Sequence, residues 1–204
     1  MPRRTDQPAK SAATSAKSDK RDKIVRAAAE CFERYGVQRT RVEDVAQAAG
    51  LSGTNFYNYY PSRSALIDAV VLARVEAIVQ DTVPVIERSK TLRDAVINGL
   101  VDTVDLCRSD ALFMEFLSLT RQNRLVELGT APAAFGFDML ERVWRPALQR
   151  ARVRNELRAG LDDNETIAWL GRVSLMLLLL SGTTSMEKIR ETVAVYVAPA
   201  LVND

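Results

Sequence analysis

The segment LSGTNFYNYYPSR, residues 51–63, crowds together side chains suited to recognising another molecule. Ser52, Thr54, Asn55 and Asn58 carry short hydrogen-bonding groups, and Tyr57, Tyr59 and Tyr60 carry hydroxyls on rigid rings. An asparagine amide sets a donor beside an acceptor and so suits a planar edge with the complementary pair. Gly53 has no Cβ and lets another molecule approach the backbone. This is chemistry of binding, and the rest of the composition agrees. The chain has no histidine, which removes the usual general base, the Ser-His and Cys-His pairs and the commonest zinc ligand. It has no GxSxG elbow, P-loop, Rossmann fingerprint or metal-ligand cluster. Neither an enzyme nor a cofactor is expected. Cys31 and Cys107 are the two cysteines, with no CxxC spacing, and read as small buried residues in a reducing compartment.

Short helices must hold the opening segment in place. Ile24, Ala27, Ala28, Cys31, Phe32 and Tyr35 recur at helical spacing from Lys20, and Gly36 supplies a left-handed stop. Thr40 is the expected N-cap of a second helix with Val42, Val45, Ala46 and Ala49 inward, ending at Gly50. Ser52 then caps a third helix expected to run through Asn58. Two short helices meeting across a glycine turn, with small Ala46 at the crossing and Leu51 and Phe56 closing the corner, make a helix-turn-helix. Ser62 caps a fourth helix, expected to end near Val83 because Pro84 follows. Helical patterns continue over residues 91–107, 110–128, 132–156, 163–181 and 184–201. No strand pattern competes. The expectation is an all-α chain of about nine helices: a basic, disordered arm over residues 1–19, a helix-turn-helix domain over 20–63 and a helical domain over 64–204.

Charge separates these parts. Residues 1–63 hold 12 basic and 7 acidic side chains, and residues 64–204 hold 16 and 19. The basic end, which also carries the tyrosines, points to a polyanionic partner. A helix start fits the major groove of duplex DNA, with side chains at base edges and backbone N–H groups toward phosphates. Ser52, Gly53, Thr54, Asn55 and Asn58 are the candidates there, with asparagine to adenine the leading pairing. Thr40 and Arg41 begin the helix that crosses the sugar-phosphate backbone in such motifs. Arg3, Arg4, Lys10, Lys17, Lys20, Arg21 and Lys23 can add contacts with phosphates through counterion release or by entering a minor groove. The start of the chain carries no apolar leader segment, and the longest apolar run, residues 173–180, is too short for a membrane span. A cytoplasmic protein with no membrane partner is expected.

From Lys23 to Val70 the sequence resembles the TetR family of bacterial transcription regulators. The resemblance rests on Ala27, Phe32 and Gly36, on TRVEDVAQAAGLS, and on the block from Phe56 to Arg63. It implies that Tyr57, Tyr59 and Arg63 contact phosphates and that Tyr60 faces inward. It also implies a palindromic operator, a homodimer, and release by a small, often apolar effector bound in the larger domain. Gly53 and Asn55 depart from residues common in the family, so base preference does not carry over.

In the larger domain, Phe113, Met114, Phe116, Phe135, Met139 and Trp144 are the candidate effector-binding residues, with Phe137 beside them. Arg121, Asn123 and Arg124 are polar candidates. Dimerisation is expected because two reading heads multiply the contacts of one. Trp169, Val173, Leu177 and Leu180, with Val193 and Val197, are the candidate interface, since they offer more apolar surface than one partner helix covers. A ligand-responsive repressor is the leading reading, with an activator or a helical carrier of an apolar compound as alternatives.

Overall fold

Long stretches rich in alanine, leucine and arginine, with little glycine to interrupt them, favour helix. The computed structural model describes residues 7–121, 137–180 and 184–203, and forms nine α-helices among them. These are α1 (Gln7–Tyr35), α2 (Val42–Ala48), α3 (Gly53–Phe56), α4 (Arg63–Arg88), α5 (Leu92–Ser109), α6 (Ala111–Arg121), α7 (Phe137–Val153), α8 (Asp163–Leu180) and α9 (Met186–Thr192). The only β pairing among the described residues is one antiparallel bridge between Leu157 and Val202. The chain divides into two compact units, Met1–Ala73 and Arg74–Asp204. The division falls inside α4.

In the first unit, Ile24, Ala28 and Phe32 of α1, Val45 and Ala46 of α2, Phe56 of α3 and Leu66 and Val70 of α4 are all buried. Gly36 and Gly50 take positive φ, 83° and 72°, as their stop positions require. Three boundaries differ from expectation. The first helix begins at Gln7 and not near Lys20. Ala9, Ala12, Ala13 and Ala16 favour helix by their intrinsic propensity, and Pro8 lies in the first turn, where a missing N–H costs no bond. The cap of α2 is Arg41, whose backbone N–H is accepted by the Asp44 carboxylate at 2.9 Å. Helix α4 passes through Pro84 to Arg88, because Ile86, 1% exposed, is held in the core beyond it.

The second unit is built around α5, which packs against α6, α7, α8 and α9. Its Ala95, Val96, Leu100 and Val104 join Trp144, Leu148, Ile167, Leu170 and Val193 in the main core. A smaller cluster of Ile78, Cys107, Leu117 and Leu178 has Phe113, Met114, Leu175 and Leu179 packed half-buried against it. After Thr192 the chain widens into one π turn over Val193–Val197 and tightens into a 3-10 turn over Ala198–Ala200. Val193, Val197 and Ala198 stay buried throughout.

Candidate functional site

The helix-turn-helix places its polar residues outward. The Ser52 hydroxyl accepts the backbone N–H of Asn55 at 3.3 Å, fixing the first turn of α3. Ser52, Thr54, Asn55, Tyr57 and Asn58 are exposed, while Gly53 and Tyr59 are half-buried. Nothing lies within 4 Å of where a Cβ at Gly53 would stand, so a ligand can approach this backbone. Helix α3 ends at Phe56, earlier than expected. Asn58 N–H and Tyr59 N–H then reach three residues back, to Asn55 and Phe56 carbonyls at 3.3 and 2.9 Å, which tightens the turn. That tightening keeps Asn58 beside Asn55, with its amide donating to Asn55 Oδ1 at 3.2 Å.

The aromatic residues split by role. Phe56 and Tyr60 are inward, 0% and 3% exposed, and Tyr57 is 51% exposed. Tyr60 donates to the Arg21 carbonyl at 3.4 Å, and the Arg21 guanidinium lies 4.6 Å from its ring centre. Burial pushes the Tyr60 phenol up, with Arg21 partly opposing it.

Thr40 does not cap α2, and Arg63, at the start of α4 as expected, also braces the turn before α2. Thr40 is 3% exposed, with its hydroxyl 2.9 Å from the Gly36 carbonyl and 3.2 Å from that of Cys31. It is corrected from helix cap and backbone contact to a buried tie closing the turn before α2. Arg63 donates to the Val37 carbonyl and, at 3.3 Å, to the Thr40 carbonyl. It braces that same turn, whose carbonyls have left the α1 hydrogen-bond ladder. Spacing along the chain could not show this, because Arg63 and Val37 are 26 residues apart. Arg41 remains exposed at the start of α2.

The larger unit disperses its candidates. Phe116, Met139 and Trp144 are buried, 4%, 8% and 2% exposed, and Phe113 and Met114 are half-buried. Phe135, Asn123 and Arg124 lie outside the described residues. Val173, Leu177, Val193 and Val197 belong to the chain's own core, which takes them out of the surface set; Trp169 is half-buried, and Leu180 ends α8. Exposed apolar residues on these C-terminal elements are instead Met176, Val195 and Tyr196. Helical spacing gives which residues share a face, and both faces of α8 are apolar, so the sequence could not say which face the chain itself covers. A cleft of about 580 Å³ is lined by Val85, Asn98, Val101, Asp102, Asp105, Met186, Glu187 and Arg190. None of the sequence candidates lines it. Burial, then Asp105 and Asp81, push the Asp102 carboxyl up.

Residues 24–70 match the family model described as bacterial regulatory proteins, tetR family. An uncharacterized HTH-type transcriptional regulator of Mycobacterium bovis is 28% identical over 117 residues, 56% of this chain and 60% of that protein. The HTH-type transcriptional regulator RutR of Escherichia coli K12 is 38% identical over 74 residues, 33% of this chain and 35% of RutR. The chain thus matches less than two thirds of the length of either relative. The TetR family repressor AlkX of a Dietzia strain, implicated in biodegradation of n-alkanes, shares the fold with a TM-score of 0.64 at 21% identity, covering 88% of this chain and 94% of AlkX. None of the described helices is long and apolar enough to cross a membrane. Over residues 24–70 the chain is thus similar to the tetR family of bacterial regulatory proteins, and its described helices share the fold of AlkX.

Proposed function

We infer that this chain is a transcriptional repressor that reads duplex DNA with the first turn of α3, acts as a homodimer on a palindromic operator and is released by a small apolar effector. The observation that carries the reading is the exposed polar run of Ser52, Thr54, Asn55, Tyr57 and Asn58, in and just beyond the short helix α3, whose packing is completed from the other side by Phe56 and Tyr60. Exposed asparagines on a rigid helix start meet the geometry of base readout, and half-buried Tyr59 and exposed Tyr57 stand beside them for phosphates. Arg41 adds a charge at the start of α2. The names of RutR and AlkX as regulator and repressor agree with this use of the fold. The half-buried Phe113 and Met114 keep apolar surface available for an effector.

The test selects bound duplexes from a random library and titrates the winner by fluorescence anisotropy. Asn55→Ala and Asn58→Ala each weaken binding by about 1–3 kcal/mol and relax preference at one base position, while circular dichroism stays unchanged because both side chains are exposed. Selection that enriches no sequence would remove the reading.

A further inference from the structure

The amino-terminal half of α1 runs from Gln7 to Arg21, ahead of buried Ile24. Between Lys17 and Ile24, where burial begins, Lys17, Lys20, Arg21 and Lys23 are exposed. At about 3.6 residues per turn, positions 10, 17 and 21 fall within roughly 40° of one another, with position 20 to one side. Asp19 and Asp22 fall on other sides of the helix, so charge is segregated along it. The stripe also has a fixed origin. Arg21 stacks on Tyr60, just beyond α3, and the Lys23 Nζ lies 3.8 Å from where a Cβ at Gly50, in the turn between α2 and α3, would stand. From Arg21 back to Gln7 the helix extends about 21 Å at about 1.5 Å per residue, roughly the axial length of six base pairs.

We propose that this half of α1 is a preformed basic rail that follows phosphates flanking the sequence read by α3, lengthening the footprint without reading bases. The inference rests on the DNA-reading role of α3. Charge complementarity selects the occupant: a regular polyanion suits lysines repeated along a helix, and the acidic side chains stand away from the stripe. A rigid rail loses less conformational freedom on binding than a flexible arm of equal charge.

The experiment uses the full chain and a duplex selected in vitro, in two lengths: the protected core alone, and the core with one further helical turn, about 10 base pairs, on each side. The variant Lys10→Gln/Lys17→Gln/Lys20→Gln keeps helix-forming residues. It binds the short duplex as the wild type does, and on the long duplex its dependence of log affinity on log salt is shallower by about 2–3. Arginine at the three positions restores the slope. Ala13→Pro, which keeps every charge but breaks the helix, also loses affinity on the long duplex. Equal effects on both lengths, or no effect on the long one, overturn the proposal, and wild-type behaviour of Ala13→Pro overturns the rail in favour of a flexible arm. Wild-type protein that enriches no duplex removes the DNA reading itself, a result distinct from all of these.

Discussion

Arg63 and Cys107 show how a single side chain's surroundings decide its chemistry. A guanidinium that donates to two backbone carbonyls is anchored to the protein, and removing it takes a donor away from the Val37 and Thr40 oxygens. Arg63→Gln is expected to lower unfolding stability by about 1–3 kcal/mol and to leave the salt dependence of DNA binding unchanged. A phosphate clamp would behave in the opposite way, with unaltered stability and a slope shallower by about 0.9; urea unfolding and a salt titration separate the two. Cys107 is buried, and that burial pushes its thiol up from an ordinary value of 9.0 to about 12, with Asp110 adding to it. The native protein should therefore resist thiol alkylation near neutral pH and react only when unfolded. Because the folded value is raised, the neutral thiol's contribution to stability is complete below about 9 and is lost as pH rises toward about 12. Unfolding experiments across that window should show the decline flattened in Cys107→Ala, whatever that variant's overall stability.

At the scale of elements, two glycines, one in the turn after α2 and one inside α5, carry unlike constraints. Gly50 has φ 72° with only Lys23 Nζ, at 3.8 Å, near a prospective Cβ, so Gly50→Ala costs backbone strain of about 1–2 kcal/mol and no packing. Gly99 has an ordinary helical backbone, but a Cβ there would stand 2.6 and 2.8 Å from Ile86 and 3.0 Å from Trp144. Gly99→Ala is expected to cost about 1–3 kcal/mol by overpacking, and Ile86→Val should recover part of that loss in a double-mutant cycle while leaving Gly50→Ala unaffected. Gly50 was legible in the sequence because turn chemistry is local: a glycine after an apolar-periodic run and before a good cap has one use. Gly99 was not, since its neighbours come from α4 and α7. The same division explains the other boundaries. Ser52 and Ser62 cap their helices as expected, each accepting an N–H three residues on. Pro84 failed as a stop because tertiary packing of Ile86 outweighed a local rule. Thr40 lost its cap role to Arg41 because a hydroxyl buried against α1 carbonyls cannot also turn toward α2.

At the scale of the whole molecule, the question is what a second copy would cover. The four residues Val173, Leu177, Val193 and Val197 are spent on the chain's own core, so any homodimer must use what is left outside. Met176, Val195 and Tyr196 are 50%, 53% and 75% exposed, large apolar side chains on the last helical elements, where burial by a partner would gain about 25 cal/mol for each Å² of apolar surface. Two reading helices held about 34–36 Å apart would then engage successive major grooves, and the affinity of the pair would far exceed that of one. Met176→Glu/Tyr196→Glu should sediment as a monomer, keep its unfolding midpoint because both side chains already face outward, and lose most of its operator affinity. Val193→Asp is the contrasting case: at 0% exposure an unpaired carboxylate there has no water to charge in, and the expected result is loss of the fold and not of the dimer alone. A Met176→Glu/Tyr196→Glu protein that remained a dimer at low concentration would put the contact on another face of the larger unit, and the spacing of the two reading heads would have to be derived from that face instead.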